Sequence, residues 1–175
     1  MPIFLIGYMA CGKTTLGRAL EAAGAAEFVD LDDFITEKSG LTPAEWFAKR
    51  GEKAFRQVEL EALKNLSLDK PIIIATGGGT PANGDAMNFM LAHGTVVWLE
   101  ASLDRTVRRL LEANGQRPIV AGMDETALRK FIPTHISHRA EFYKRAHTRF
   151  DSSYLDTAEE IQATVNAFRR QFGLN

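Results

Sequence analysis

Apolar residues recur along this chain in two rhythms. Short continuous runs predict five strands: Ile3-Phe4-Leu5-Ile6, Phe28-Val29-Asp30-Leu31-Asp32, Ile72-Ile73-Ile74-Ala75, Thr95-Val96-Val97-Trp98-Leu99 and the weaker Thr148-Arg149-Phe150-Asp151. Between them, apolar residues fall at helical spacing. Leu103, Val107, Leu110 and Leu111 make one such stripe, and Ile161, Val165, Phe168 and Phe172 another. Thr42-Pro43-Ala44-Glu45 reads as a capping box with proline at the first helical position, and Thr157 with Glu160 reads as a second cap. Fully apolar strands alternating with helices predict an α/β fold whose parallel sheet is covered on both faces.

The first strand runs straight into Gly7-Tyr8-Met9-Ala10-Cys11-Gly12-Lys13-Thr14-Thr15, which fits G-x-x-x-x-G-K-T. A helix from Gly12 to Ala23 follows. Strand, glycine loop and helix in that order make a phosphate site, because loop N–H groups and a helix N-terminus both favour an anion. Lys13 then reaches the β- and γ-phosphates, and the Thr14 hydroxyl meets Mg²⁺. The competing readings are a glycine turn that happens to contain Lys-Thr, and an export signal ending at Cys11. The second lacks a basic leader.

Composition adds little that is positive. The 175 residues suffice for one domain with a sizeable core, and the net charge of −1 gives no pull toward nucleic acid. No apolar stretch is long enough to span a bilayer. A single cysteine excludes an internal disulfide, and a cytoplasmic location is the simplest expectation. One segment breaks the rhythm. Residues 113–123 hold two glycines and a proline, and so long a loop in a phosphotransferase is a candidate lid.

Other residues able to carry chemistry are scattered. Asp30 and Asp32 stand two apart at the end of the second strand, so period two puts both carboxylates on one face beside the phosphate loop. One suits a metal site, the other a substrate hydroxyl. The alternative is that these two and Asp33 merely cap the next helix. Arg56 has Glu59 one turn away to hold it. Arg139 follows His138 in the segment after Pro133, which is expected to interrupt the helix there. Each arginine alone reads first as a solvated surface residue; brought together, they suit a planar carboxylate. Gly77-Gly78-Gly79 follows the third strand and allows close approach to backbone, or is simply a permissive turn. The four histidines show no zinc spacing and read as surface or helix residues. Cys11 is either a thiol activated beside Lys13 or a small buried residue behind the loop.

As a set, these residues resemble the shikimate kinase family. The order is the phosphate loop, Asp30-x-Asp32, Gly51-Glu52-x-x-Phe55-Arg56, the triple glycine, Arg117-Pro118, then Arg139 with Tyr143. The resemblance spans nearly the whole chain and implies a three-layer fold of nucleoside-monophosphate-kinase type, with a five-stranded parallel sheet in the order 2-3-1-4-5. It implies one domain over residues 1–175, with substrate-binding helices near 32–65 and the lid near 113–123. It also implies ATP and Mg²⁺, with transfer of phosphate to the 3-hydroxyl of shikimate in aromatic amino-acid biosynthesis, by a monomer.

The implied roles are as follows. Gly7, Ala10, Cys11, Gly12, Lys13, Thr14 and Thr15 surround the phosphates. Thr14 and Asp30 hold the metal. Asp32 contacts the reacting hydroxyl. Arg56, Arg139 and Gly77 to Gly79 hold shikimate. Arg117 descends from the lid onto the transferring phosphate, and Arg108 or Arg109 flanks adenine. Members commonly carry glycine where this chain has Ala10, so the loop requires Ala10 to take up a glycine-like backbone. The family proline beside adenine has no match in Asp151-Ser152-Ser153-Tyr154. The rivals are another small-molecule kinase of this loop type, such as a gluconate kinase, and a nucleotide-binding module without turnover.

Overall fold

The computed structural model describes residues 1–113 and 118–174. Five parallel strands form one sheet: β1 (Ile3–Ile6), β2 (Glu27–Asp30), β3 (Ile72–Ala75), β4 (Thr95–Glu100) and β5 (Thr148–Asp151). Their order is β2-β3-β1-β4-β5, as the resemblance implied. β1 sits at the centre, paired with β3 on one side and β4 on the other.

The nine helices assigned among the described residues are α1 (Lys13–Ala22), α2 (Leu31–Ser39), α3 (Pro43–Arg50), α4 (Glu52–Lys64), α5 (Ala86–His93), α6 (Leu103–Glu112), α7 (Glu125–Ser137), α8 (Ala140–Tyr143) and α9 (Ala158–Phe172). The inner strands β1 and β3 are apolar throughout because both faces are covered, while the edge strands β2 and β5 carry exposed polar residues. Phe4, Ile6, Ile72, Ile74, Val96 and Trp98 face one core with Leu31, Ile35, Phe55, Leu63 and Met90. Ile3, Leu5, Ile73, Val97 and Leu99 face the other, with Leu16 and Leu20 of α1 and Val165 and Phe168 of α9. A third, smaller core joins Tyr8 of the phosphate loop to Val107 and Leu110 of α6, Val120, and Leu128 and Ile132 of α7.

Local signals act as their chemistry predicts. Thr42 and Glu45 form the full capping box of α3, and Thr157 caps α9 through the Glu160 N–H. Three expectations need correction. β2 ends at Asp30 rather than Asp32, because the Asp30 carboxylate accepts the Asp32 N–H and starts a helix there. α7 passes through Pro133 to Ser137, so Arg139 lies in the turn between α7 and α8 and not on an interrupted helix. On α6, Val107 and Leu110 are buried while Leu103 and Leu111 are exposed, so the core-facing stripe is narrower than the sequence suggests.

Gly17 shows how tightly α1 lies on the sheet. A Cβ there would come within 2.0 Å of the Phe28 ring of β2. Alanine in a helix interior normally gains about 1 kcal/mol over glycine. Here overpacking of about 1–3 kcal/mol opposes that gain. Gly17→Ala is therefore expected to lower Tm by a few degrees, and adding Phe28→Leu should recover it. A Gly17→Ala protein melting above the wild type would show that the ring yields without cost.

Candidate active site

Most candidate residues that the structure describes lie at the carboxyl ends of β1, β2 and β3 or on the helices that follow them; Arg109 comes from α6, after β4, and Arg139 from the turn between α7 and α8. The carboxyl ends of the strands are the edge where open parallel sheets bind ligands. A cleft of about 370 Å³ runs along it, lined by Lys13, Thr14, Asp30, Asp32, Gly78 and Arg109 among others.

The phosphate loop needs both of its glycines. Gly7 has φ 145° and Gly12 φ 99°, the left-handed side that favours glycine. A Cβ would also meet the Leu99 carbonyl oxygen at 2.5 Å from Gly7, and Leu155 at 2.5 Å from Gly12. Lys13 Nζ donates to the Gly7 and Tyr8 carbonyls, each at 2.9 Å, and lies 3.7 Å from Cys11 Sγ. Cys11 itself is 2% exposed and packs into the α1-side core. Of its two readings, the structure supports the buried one.

Asp30 and Asp32 are brought together, though not by strand periodicity. Asp30 Oδ2 accepts from the Thr14 hydroxyl at 2.6 Å, and Oδ1 accepts from the Asp32 N–H at 3.0 Å. Asp30 thus caps α2 and binds Thr14 at once. Asp32 stands in the first turn of α2, with Oδ1 3.4 Å from where a Gly77 Cβ would be. Asp33 points away and pairs with Arg18 on the surface. Hydroxyl and carboxylate oxygens in this arrangement suit a hard divalent cation, so the donor set fits Mg²⁺.

Arg56 and Arg139 also converge. A Cβ on Gly79 would sit 2.5 Å from Arg56 Nη2, and one on Gly78 would sit 3.3 Å from Arg139 Nη1. Two guanidinium groups therefore lie against consecutive residues of the glycine turn. The turn is glycine for want of room, not for backbone freedom. Arg56 Nη1 donates to Glu59 at 2.9 Å, and the guanidinium lies over the Phe47 and Phe55 rings. Glu59 has no exposed surface. It also accepts from Thr80 Oγ1 at 2.7 Å and Asn83 Nδ2 at 3.1 Å, so a buried carboxylate is met by three donors. Tyr143 donates to the Gly78 carbonyl at 2.6 Å. Burial raises its hydroxyl pKa to about 12, with Arg139 pulling the other way.

At the far end of the cleft, Arg109 is fixed from several sides. Its Nε donates to Asp156 at 2.6 Å, and its Nη atoms donate to the carbonyls of Ala10, Ser152 and Ser153. Arg105 and Arg108 reach the same Asp156. Burial pushes the Asp156 carboxyl up, but hydrogen bonds from Arg109 and Arg105 outweigh it and hold the group below the usual aspartate range. Arg108 is half exposed and turned toward Glu112, so Arg109 is the arginine that faces the cleft. Arg117 lies outside the described residues.

A family model described as shikimate kinase matches residues 9–169. The chain belongs to the shikimate kinase family. It is 36% identical over 168 residues to a shikimate kinase of Parabacteroides distasonis, covering 96% of this chain and 97% of that one. A shikimate kinase of Phocaeicola vulgatus is 38% identical over 169 residues, covering 97% of each. The crystal structure of shikimate kinase from Bacteroides thetaiotaomicron superposes with a TM-score of 0.92 at 37% identity, covering 99% of both chains. Shikimate kinase from Acinetobacter baumannii, solved in complex with shikimate, gives a TM-score of 0.81 at 26% identity, covering 98% of this chain and 93% of that one.

Within the family pattern, the departure at Ala10 is resolved by its backbone. Ala10 has φ 58°, so it does adopt the left-handed conformation that glycine would favour. Several supporting residues carry no sequence signal. Thr80 and Asn83 behind Glu59, Asp156 behind Arg109, and His135 against Tyr8 come from distant segments. His135 in particular is not a plain surface histidine; its Nδ1 lies 2.9 Å from the Tyr8 hydroxyl.

The Glu59 cluster yields a stability prediction. Removing one partner of a buried ion pair costs about 3–5 kcal/mol. Arg56 is 22% exposed and can regain some water, which favours the lower figure. Glu59→Ala is expected to lower Tm by roughly 6–12 °C in a chain of this length. Differential scanning calorimetry decides it: a fall of less than about 2 °C would mean that the pairing contributes no net stability.

Proposed function

We propose that this chain transfers the γ-phosphoryl group of ATP to the 3-hydroxyl of shikimate, giving ADP and shikimate 3-phosphate for aromatic amino-acid biosynthesis. The observation that carries this reading is the convergence of Arg56 and Arg139 over Gly78 and Gly79, beside a phosphate loop. Two forked donors above a backbone turn suit one planar carboxylate and the ring that bears it. Gly78 and Gly79, having no Cβ, let the two guanidinium groups lie close against the turn.

The roles follow from position. The loop from Gly7 through Ala10, Cys11 and Gly12 to Thr15 wraps the phosphates, and Lys13 exchanges its two carbonyl partners for phosphate oxygens. Thr14 and Asp30 hold Mg²⁺, which supplies charge neutralisation on the phosphates when bound. Arg109 forms one wall for adenine, and Leu155 lines the same cleft. Asp32 orients the 3-hydroxyl and accepts its proton as the new O–P bond forms and the bond from the γ-phosphorus to ADP breaks. By the family resemblance rather than by position, Arg117 is the residue that stabilises charge on the phosphoryl group in transit. The residues named come from one chain, so a monomer suffices. Its ATP supply puts the reaction in the cytoplasm, and no helix among the described residues is long and apolar enough to cross a membrane.

The deciding experiment measures ADP release from MgATP with shikimate, quinate or gluconate. Turnover with shikimate is expected. Turnover with gluconate instead would give the chain to another kinase class, and none with any substrate would leave a nucleotide-binding module.

Two sets of variants test the roles. Arg56→Ala and Arg139→Ala should each raise shikimate KM by an amount on the order of 2–4 kcal/mol in apparent binding, with MgATP affinity nearly unchanged. An unaltered shikimate KM in both would remove the carboxylate site. Arg117→Ala should lower kcat more than it weakens binding of either substrate. Arginine fingers elsewhere contribute roughly 10³–10⁵ in rate, and one assisted by Lys13 contributes less. A normal kcat in this variant would take Arg117 out of the mechanism.

A further inference from the structure

Tyr8 and His135 lie outside the roles given so far, yet they join two parts of the site. Tyr8 follows Gly7 in the phosphate loop and is 4% exposed. Its hydroxyl lies 2.9 Å from His135 Nδ1, in the last turn of α7, and the two rings meet edge to face at 5.5 Å. His135 also packs against Phe131 one turn earlier. Four residues after His135 comes Arg139, whose guanidinium rests on Gly78. Gly78 in turn lies against the Gly7 carbonyl and the Met9 N–H of the same loop. The segment that presents Arg139 is thus tied to the phosphate loop at its start, by Tyr8, and at its end, by Gly78.

We propose that Tyr8 and His135 are positioning residues, whose hydrogen bond pins the end of α7 to the phosphate loop and so holds Arg139 in place for the substrate carboxylate. The inference rests on Arg139 binding shikimate, as argued above.

The direction of the bond follows from the surroundings. Burial raises the Tyr8 hydroxyl to about 12, against a smaller downward pull from Arg139, so it stays protonated and donates. Burial, then Arg139, then His138 lower the His135 pKa, so the imidazole is neutral, and in the tautomer protonated at Nε2 its Nδ1 accepts from Tyr8. The charged or titratable groups acting on His135 are Tyr8 from the loop and Arg139 and His138 from the turn after α7; the rest of this small core is apolar. Protonation would make Nδ1 a donor and add a positive charge one turn from Arg139. As pH falls through the lowered histidine value, the Tyr8 hydroxyl must turn from donor to acceptor and the new charge repels Arg139, so the tie is weakened.

The test uses Tyr8→Phe, His135→Ala, His135→Asn and Arg139→Ala in the full chain. Shikimate and MgATP KM values are measured at pH 7.5 and pH 5.5, with melting temperatures. Tyr8→Phe and His135→Ala should raise shikimate KM about three- to tenfold and shift MgATP KM by less than about twofold. Asparagine keeps an acceptor near Nδ1 but does not titrate. His135→Asn should therefore restore shikimate KM at pH 7.5 and abolish the part of its rise at pH 5.5 that the wild type shows. Three results overturn the proposal: a lower Tm with both KM values unchanged, equal rises in both KM values, or an acid rise in KM that survives in His135→Asn. If Arg139→Ala itself leaves shikimate KM unchanged, the carboxylate assignment has failed rather than the tie alone.

Discussion

The cleft depends on how closely the backbone passes itself at the carboxyl ends of β1, β3 and β4. Gly7 leaves β1 with no space for a side chain between it and the Leu99 carbonyl. Gly78, after β3, lies against the Gly7 carbonyl. That spacing exists because β1 is flanked by β3 and β4 in register, so the loops that leave them start about one strand spacing apart. A phosphate loop and a substrate turn can then share a wall. The apolar strands serve this geometry: buried on both faces, they fix where each loop begins.

Two carboxylates hold Arg56 and Arg109, and they do so in different settings. Glu59 is sealed from solvent behind Arg56 with Thr80 and Asn83. Asp156 is 10% exposed and gathers Arg105, Arg108 and Arg109. A buried ion pair contributes little net stability compared with apolar packing. What it does contribute is orientation, because a guanidinium tied at one edge keeps its other edge aimed. Arg56 is tied through Nη1 and presents Nη2 to Gly79. Arg56 and Arg109 are thus set before a ligand arrives, which cuts the ordering cost of binding.

The sequence revealed what is local. Continuous apolar runs placed β1 and β3 to the residue, the weaker Thr148–Asp151 signal placed β5, and the Thr42 and Thr157 caps appear as written. The phosphate loop was legible because its strand, glycines and helix are contiguous. Asp30 and Asp32 were found for an incomplete reason. Alternation along a strand put them on one face, whereas the Asp30 carboxylate in fact stops the strand by capping α2. The alternative that Asp30 caps is also true, and does not compete with its contact to Thr14. Proline chemistry misled at Pro133, since a missing N–H did not end α7, whose Leu128 and Ile132 are buried against Tyr8 and α6. Partners such as Asp156 and His135 lie 47 and 127 residues from the groups they hold. No spacing rule reaches that far.

The Ala10-Cys11 pair shows how the loop tolerates its departure from glycine. A left-handed alanine costs about 1–2 kcal/mol. It also lacks the freedom that glycine must give up on folding, which offsets about 0.5–1 kcal/mol of that cost. The remainder falls on a loop held from both sides. Arg109 accepts no disorder at Ala10, because it donates to that carbonyl at 3.2 Å. Cys11 fills the space behind, close enough that a Cβ on Gly7 would meet its sulfur at 2.9 Å. A small, soft, buried side chain suits that position, where a larger one would push the loop off Gly7. Packing under the loop and an arginine over it therefore replace the conformational freedom that glycine supplies, and the phosphate-facing backbone keeps its shape.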